Sequence, residues 1–165
     1  MQTNLDALDE GLELLNRLSS QHYVADQSPI FLGTLGAHYR HLIEHYSCFL
    51  NALSDQELSF DSRPREAELE NDIRLAKERI KSICDDLALI DSGEIDNSLT
   101  VHDQQSDAPI VSTIGRELLF LQAHTVHHHA IIGAMARRLG VQIQSGFGVA
   151  VSTQAFANQL RKVAR

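Results

Sequence analysis

The sequence predicts an all-α protein, a four-helix bundle with a long loop or short hairpin before the fourth helix and a short helix near the C-terminal end. Three observations carry this. Apolar residues recur at alternating spacings of three and four through most of the 165 residues. The periodic stretches number four, each long enough for a bundle helix. Proline, glycine and polar clusters punctuate between them. This length predicts one domain, 1–165, able to bury a core of its own.

The first helix is expected over residues 4–19, on the stripe Leu5, Leu8, Leu12, Leu15 and Leu18, with Thr3 or Asn4 as its cap. Ser28-Pro29 reads as the start of the second, with serine as N-cap and proline in the first helical position. Its stripe is Leu32, Leu35, Tyr39, Leu42, Tyr46, Phe49 and Leu53, and Gly33 and Gly36 leave room for another helix to approach closely. Residues 54–63 are turn-like, and Pro64 opens the third helix. Leu69, Ile73, Ala76, Ile80, Ile83, Leu87 and Ile90 form its stripe, with Glu70–Arg74 and Lys81–Asp85 as exposed i,i+4 pairs. Residues 91–111 break the pattern and read as a long loop with a short hairpin, a length often functional in a compact domain. Ser112 or Thr113 starts the fourth helix, which ends near Leu139 before Gly140. Its stripe is Leu118, Leu121, Thr125, His128, Ile132, Met135 and Leu139. Ser152-Thr153 caps a last short helix.

The net charge of -8 excludes a nucleic-acid groove binder, which needs a basic stripe, and a protein held on anionic lipid. No apolar run has the length of a membrane span, and the first residues lack the basic and apolar regions of a signal peptide. Cys48 and Cys84 form no CxxC pair and read as two thiols of a reducing cytosol.

Seven of the nine histidines fall in two groups: His38, His41 and His45 on the second helix, and His124, His127, His128 and His129 on the fourth. Imidazole is a poor core filler and a good ligand for divalent metals. His124 and His128 are four residues apart, so they share one helix face and can present two ligands to one ion. His127 and His129 point elsewhere. Glu117 lies seven residues before His124 and is a candidate further ligand or acceptor for a ligand's ring N–H. The second-helix histidines lie at the edge of its apolar stripe, and any one of them can meet the pair across the bundle. Three protein ligands with an open position is the pattern of a catalytic metal. The text contains neither the Glu-x-x-His motifs of di-iron bundles nor a zincin His-Glu-x-x-His. Nor is there a Walker loop or a GxGxxG fingerprint.

Leu35-Gly36-Ala37-His38-Tyr39-Arg40-His41-Leu42 resembles the second-helix motif of the DinB-like family, in which a glycine precedes a histidine by five residues and an aliphatic follows it. His124-Thr125-Val126-His127-His128 is similar to the family's fourth-helix motif, whose first and last histidines are ligands. Phe147-Gly148-Val149-Ala150-Val151-Ser152-Thr153 resembles a subgroup signature. The resemblance implies up-down-down-up topology, often a homodimer, and a divalent metal (zinc, nickel or iron) held by three histidines. Carried over onto this chain, it selects His41 beside His124 and His128. It implies a bacterial, cytoplasmic protein related to thiol S-transferases that use low-molecular-weight thiols. This chain departs from many relatives in having His129-Ala130-Ile131 where they continue with Arg-Gly-Gln.

The expected function is therefore that of a metal-dependent enzyme, a transferase joining a low-molecular-weight thiol to a small electrophile or, second, a hydrolase. The alternative is a non-catalytic metal-binding or dimerising module of the same fold.

Overall fold

A computed structural model of the chain describes residues 1–163. Seven helices and a small sheet run in the order α1 (Gln2–Arg17), α2 (Ser20–Val24), α3 (Leu35–Asp55), β1 (Glu57–Leu58), α4 (Ala67–Asn71), α5 (Ile73–Ala88), β2 (Ser98–Val101), β3 (Ile110–Thr113), α6 (Ile114–Arg138) and α7 (Val151–Val163). The bundle is α1, α3, α5 and α6; α3 and α1 each pack against both α5 and α6.

Side-chain contacts give the helix directions. Tyr46 donates to Asn4 Oδ1 and Tyr39 donates to the Gly11 carbonyl, so α1 and α3 are antiparallel. His41 faces His124 and His38 faces His128, so α3 and α6 are antiparallel too. Gly36 meets Glu70 ahead of α5, and Tyr46, ten residues on, feels Cys84, so α3 and α5 run the same way. The bundle is thus up-down-down-up. Its core is aliphatic with three buried tyrosines, Tyr23, Tyr39 and Tyr46.

The entry to α3 differs from the expectation. Ser28-Pro29 is a cis peptide in a turn, with the Ser28 N–H and hydroxyl both donating to Asp26. The Gln27 N–H closes the turn onto the Gly33 carbonyl. Thr34 is the real N-cap, its hydroxyl accepting from the Ala37 N–H at 3.0 Å. Leu32, placed in the stripe by periodicity, lies outside the helix and is 89% exposed. Gly36 does what its size suggested: a Cβ there would stand 2.0 Å from the Glu70 carbonyl oxygen.

The third helix does not start at Pro64 and is interrupted. Asp72 leaves helical geometry and caps α5, its carboxylate accepting from the Arg74 and Leu75 N–H groups. That break separates Glu70 from Arg74; Glu70 instead pairs with Arg40 of α3 at 2.8 Å. α1 begins at Gln2 without a side-chain cap, and Asn4 is buried inside it. The hairpin is present: β2 pairs antiparallel with β3, from Ser98↔Thr113 to Val101↔Ile110. β1, in the segment expected to be turn, adds a parallel partner on the other side of β2. Thr113 caps α6 as expected. α7 starts one residue before Ser152, and Val151 and Phe156 on it are exposed.

Candidate metal centre

α3 and α6 lie antiparallel with their histidine-bearing edges in register. His38, His41 and His45 follow one another by three and four residues, and His124 and His128 by four, so each helix offers one row. His41 Nε2 stands 3.0 Å from His124 Nε2. The rings of His41, His124 and His128 have centroids 4.6 to 5.0 Å apart. One ring nitrogen from each falls within 4.8 Å of the others, the spacing needed for a common ion. Among the described residues no carboxylate or thiol joins this group.

All three rings are half-buried. Desolvation pushes each pKa down, helped by mutual repulsion: His41 to about 2, His128 to about 3 and His124 to about 4. They are neutral at physiological pH, with lone pairs available. Three neutral imidazoles form a donor set that suits zinc, nickel or iron.

The two other α3 histidines hold the group in place. His38 Nδ1 is 3.1 Å from His128 Nδ1. His45 Nδ1–H donates to the His41 carbonyl at 2.7 Å, and its ring stacks on Phe60. Arg63, in the linker before Pro64, brings Nη2 to 3.3 Å from His41 Nδ1 and donates through Nη1 to the Phe60 carbonyl. Its Nε is 3.6 Å from Glu44, a carboxylate 2% exposed that also faces Arg40 and accepts from the Glu66 N–H. Periodicity pointed to none of Arg63, Glu44 or Phe60. Two of them belong to an irregular linker, and the i,i+4 spacing of Arg40 and Glu44 was the one available signal.

The remaining candidates lie apart. His127 is exposed. His129 is buried with its ring stacked on Phe147 and its Nδ1 3.4 Å from Glu10, which is a packing role. Thr125 and His129, not His128, therefore point to the bundle centre. Glu117 is not part of the histidine group: its Oε1 accepts from Ser112 and Arg116 instead. Cys48 is half-buried and donates to the Ser59 carbonyl; burial pushes its thiol pKa up, which disfavours the nucleophilic thiolate. His102 binds Glu57 on the surface, and His22 completes the capping box of α2. Both cysteines are free.

The sequence model of the DinB family matches residues 1–146. The chain belongs to the DinB family. The fold agrees: the crystal structure of a DinB-like protein from Bacillus subtilis superposes with a TM-score of 0.65 at 17% identity, covering 88% of this chain and 96% of that one. A curated relative, FK506-binding protein 5 of the fungus Rhizopus delemar, is 38% identical over 106 residues. That match takes in 58% of this chain and only 26% of the relative, so the chain spans about a quarter of that protein's length.

In this DinB-family chain a groove of about 470 Å³ adjoins the histidines, between the β2–β3 hairpin and the first half of α6. Phe60 and Phe120 line its inner end with ring centroids 5.1 Å apart. Phe120 stacks on His124, as Phe60 does on His45. No described helix is long and apolar enough to cross a membrane.

Proposed function

We propose that the chain is a divalent-metal-dependent enzyme whose ion is held by His41, His124 and His128. The observation that carries this is the convergence of three neutral imidazoles from two helices with no carboxylate or thiol among them, as described above. When bound, the ion supplies Lewis acidity that lowers the pKa of a coordinated thiol or water toward neutrality. Around it, His38 and His45 orient ligand-bearing elements. Phe60 and Phe120 exclude water from one flank.

The preferred reaction is transfer of a low-molecular-weight thiol to a small electrophile, with hydrolysis second. The two free cysteines are in keeping with a reducing, cytoplasmic setting. A homodimer is proposed as well. The exposed Val151 and Phe156 of α7 favour a second reading, in which the same fold serves as a dimerising module without catalysis.

Elemental analysis of protein purified without a metal-affinity column, on wild type and His128→Ala, tests the site. About one equivalent of zinc, nickel or iron is expected in wild type, and far less in the variant. Metal-free wild type, or equal content in the two proteins, overturns the reading. A thiol-transfer screen on the loaded protein then separates enzyme from module.

A further inference from the structure

We propose that the groove between the β2–β3 hairpin and α6 is a binding site for a small amphipathic amine, its apolar body on Phe60 and Phe120 and its ammonium on Glu117. The chemistry follows from the lining. A volume of about 470 Å³ is that of a small-molecule site rather than of a peptide or nucleic-acid surface. The two phenyl rings give the inner end an apolar face directly beside His45 and His124.

Glu117 supplies the anion. It lies in the lining and is 1% exposed. Oε1 accepts from the Ser112 hydroxyl at 2.5 Å and from Arg116 Nη1 at 2.9 Å, while Oε2 has no donor. A buried carboxylate with an empty acceptor position is costly, so an arriving donor is favoured there. Its place in the first turn of α6 explains why a negative charge is tolerated, but not why Oε2 lacks a donor.

Arg116 marks where a cationic head sits. Its guanidinium carbon is 5.7 Å from the Phe120 ring centroid, and it pairs with Glu117. The same side chain is 65% exposed, so solvent screens the pair and a ligand ammonium can replace it. The other charged lining residue is Asp103, which leaves one net negative charge in the groove and disfavours an anionic ligand.

The inference goes beyond the enzyme reading, resting on it only for the groove's place beside the site, and the binding step itself requires no metal. Benzylamine and benzoate are the probes, titrated into metal-free, isotope-labelled protein and followed by amide NMR. Benzylamine is expected to shift β2, β3 and the first half of α6 saturably, with benzoate at least about tenfold weaker. Glu117→Gln and Phe120→Leu should each weaken benzylamine about tenfold; should Glu117→Gln not fold, Asp103→Asn replaces it, with a smaller loss expected. No shifts in the groove, equal binding of the two probes, or undiminished binding in the folded groove variants overturns the inference. Wild type that carries no metal as purified, yet binds benzylamine, sinks the metal reading and leaves the groove standing.

Discussion

His38 Nδ1 and His128 Nδ1 stand 3.1 Å apart, so a single proton must lie between them. If His128 ligates through Nε2, the nitrogen free of this contact, its Nδ1 carries the proton and His38 accepts it. His38 then fixes the tautomer and the ring plane of His128, as carboxylates and carbonyls do behind other metal ligands. His38→Ala is expected to lower zinc affinity about 10- to 100-fold by chelator competition. His38→Gln, which keeps an acceptor, should recover part of it. The d–d spectrum of the cobalt form should keep its envelope. A changed envelope would make His38 a fourth ligand, and unchanged affinity in the alanine variant would remove it from the site.

The depressed histidines make the metal-free protein acid-sensitive. An unfolded imidazole titrates near about 6.5, while His124, His128 and His41 titrate at about 4, 3 and 2 in the fold. As pH falls the unfolded chain therefore binds protons first. The stability tied to these groups is complete above the unfolded value and is lost as pH falls from it toward the folded ones. Thermal unfolding in the presence of chelator should show Tm falling from pH 7 to pH 4.5. The fall should be shallower in His41→Asn, whose absolute Tm at pH 7 is free to differ. Equal slopes in the two proteins would show that the cluster does not govern the acid limb.

Why some of this was legible and some was not comes down to what marks a position. α3 and α5 carry apolar rows that solvent exclusion follows closely, whereas in α1 the row is shifted, with Asn4, Gly11 and Leu14 buried and Leu5 and Leu12 only half-buried. In α6 the row has no apolar marker between Leu121 and Ile132, so periodicity assigned His128 to the centre, where packing chose His129. Spacing on each helix brought His124 and His128 onto one face. Which α3 histidine faces them depends on how two helices slide past one another, and only the resemblance favoured His41. Ser28-Pro29 has the chemistry of a helix start, but Thr34 offers the same cap six residues later with no proline to accommodate. β1 is two residues long, too short to show any alternation. Arg63 and Glu44 meet the site through a linker whose path no local pattern encodes.

Gly36 is fixed by packing rather than by backbone freedom. A methyl group there would meet the Glu70 carbonyl oxygen at 2.0 Å and the Tyr23 ring at 2.9 Å. The carbonyl belongs to α4 and cannot rotate away without moving the helix. Gly36→Ala should cost about 3 kcal/mol by denaturant titration, and it should also displace the start of α3 that carries His38 and His41. Wild-type stability in this variant would show that α3 and α4 are not in such contact.

Arg63 couples the stability of the fold to metal loading, with opposite signs. A guanidinium only donates, so at 3.3 Å His41 Nδ1 accepts from it and the ring proton sits on Nε2, opposite His124. An ion held at Nε2 would displace that proton, and Nδ1 would take it only once Arg63 withdrew. The arginine's charge also repels a divalent cation. Removing it should therefore tighten zinc binding, by about tenfold on the scale of such outer contacts. Glu44, however, is 2% exposed and keeps only Arg40 and the Glu66 N–H once Arg63 is gone. A buried carboxylate losing one of two cationic partners costs about 2 kcal/mol or more. Arg63→Gln should accordingly lower the Tm of the metal-free protein and tighten its hold on zinc, with calorimetry and chelator competition reading the two effects. A variant that loses both stability and affinity would make Arg63 a support of the ligand set rather than its competitor.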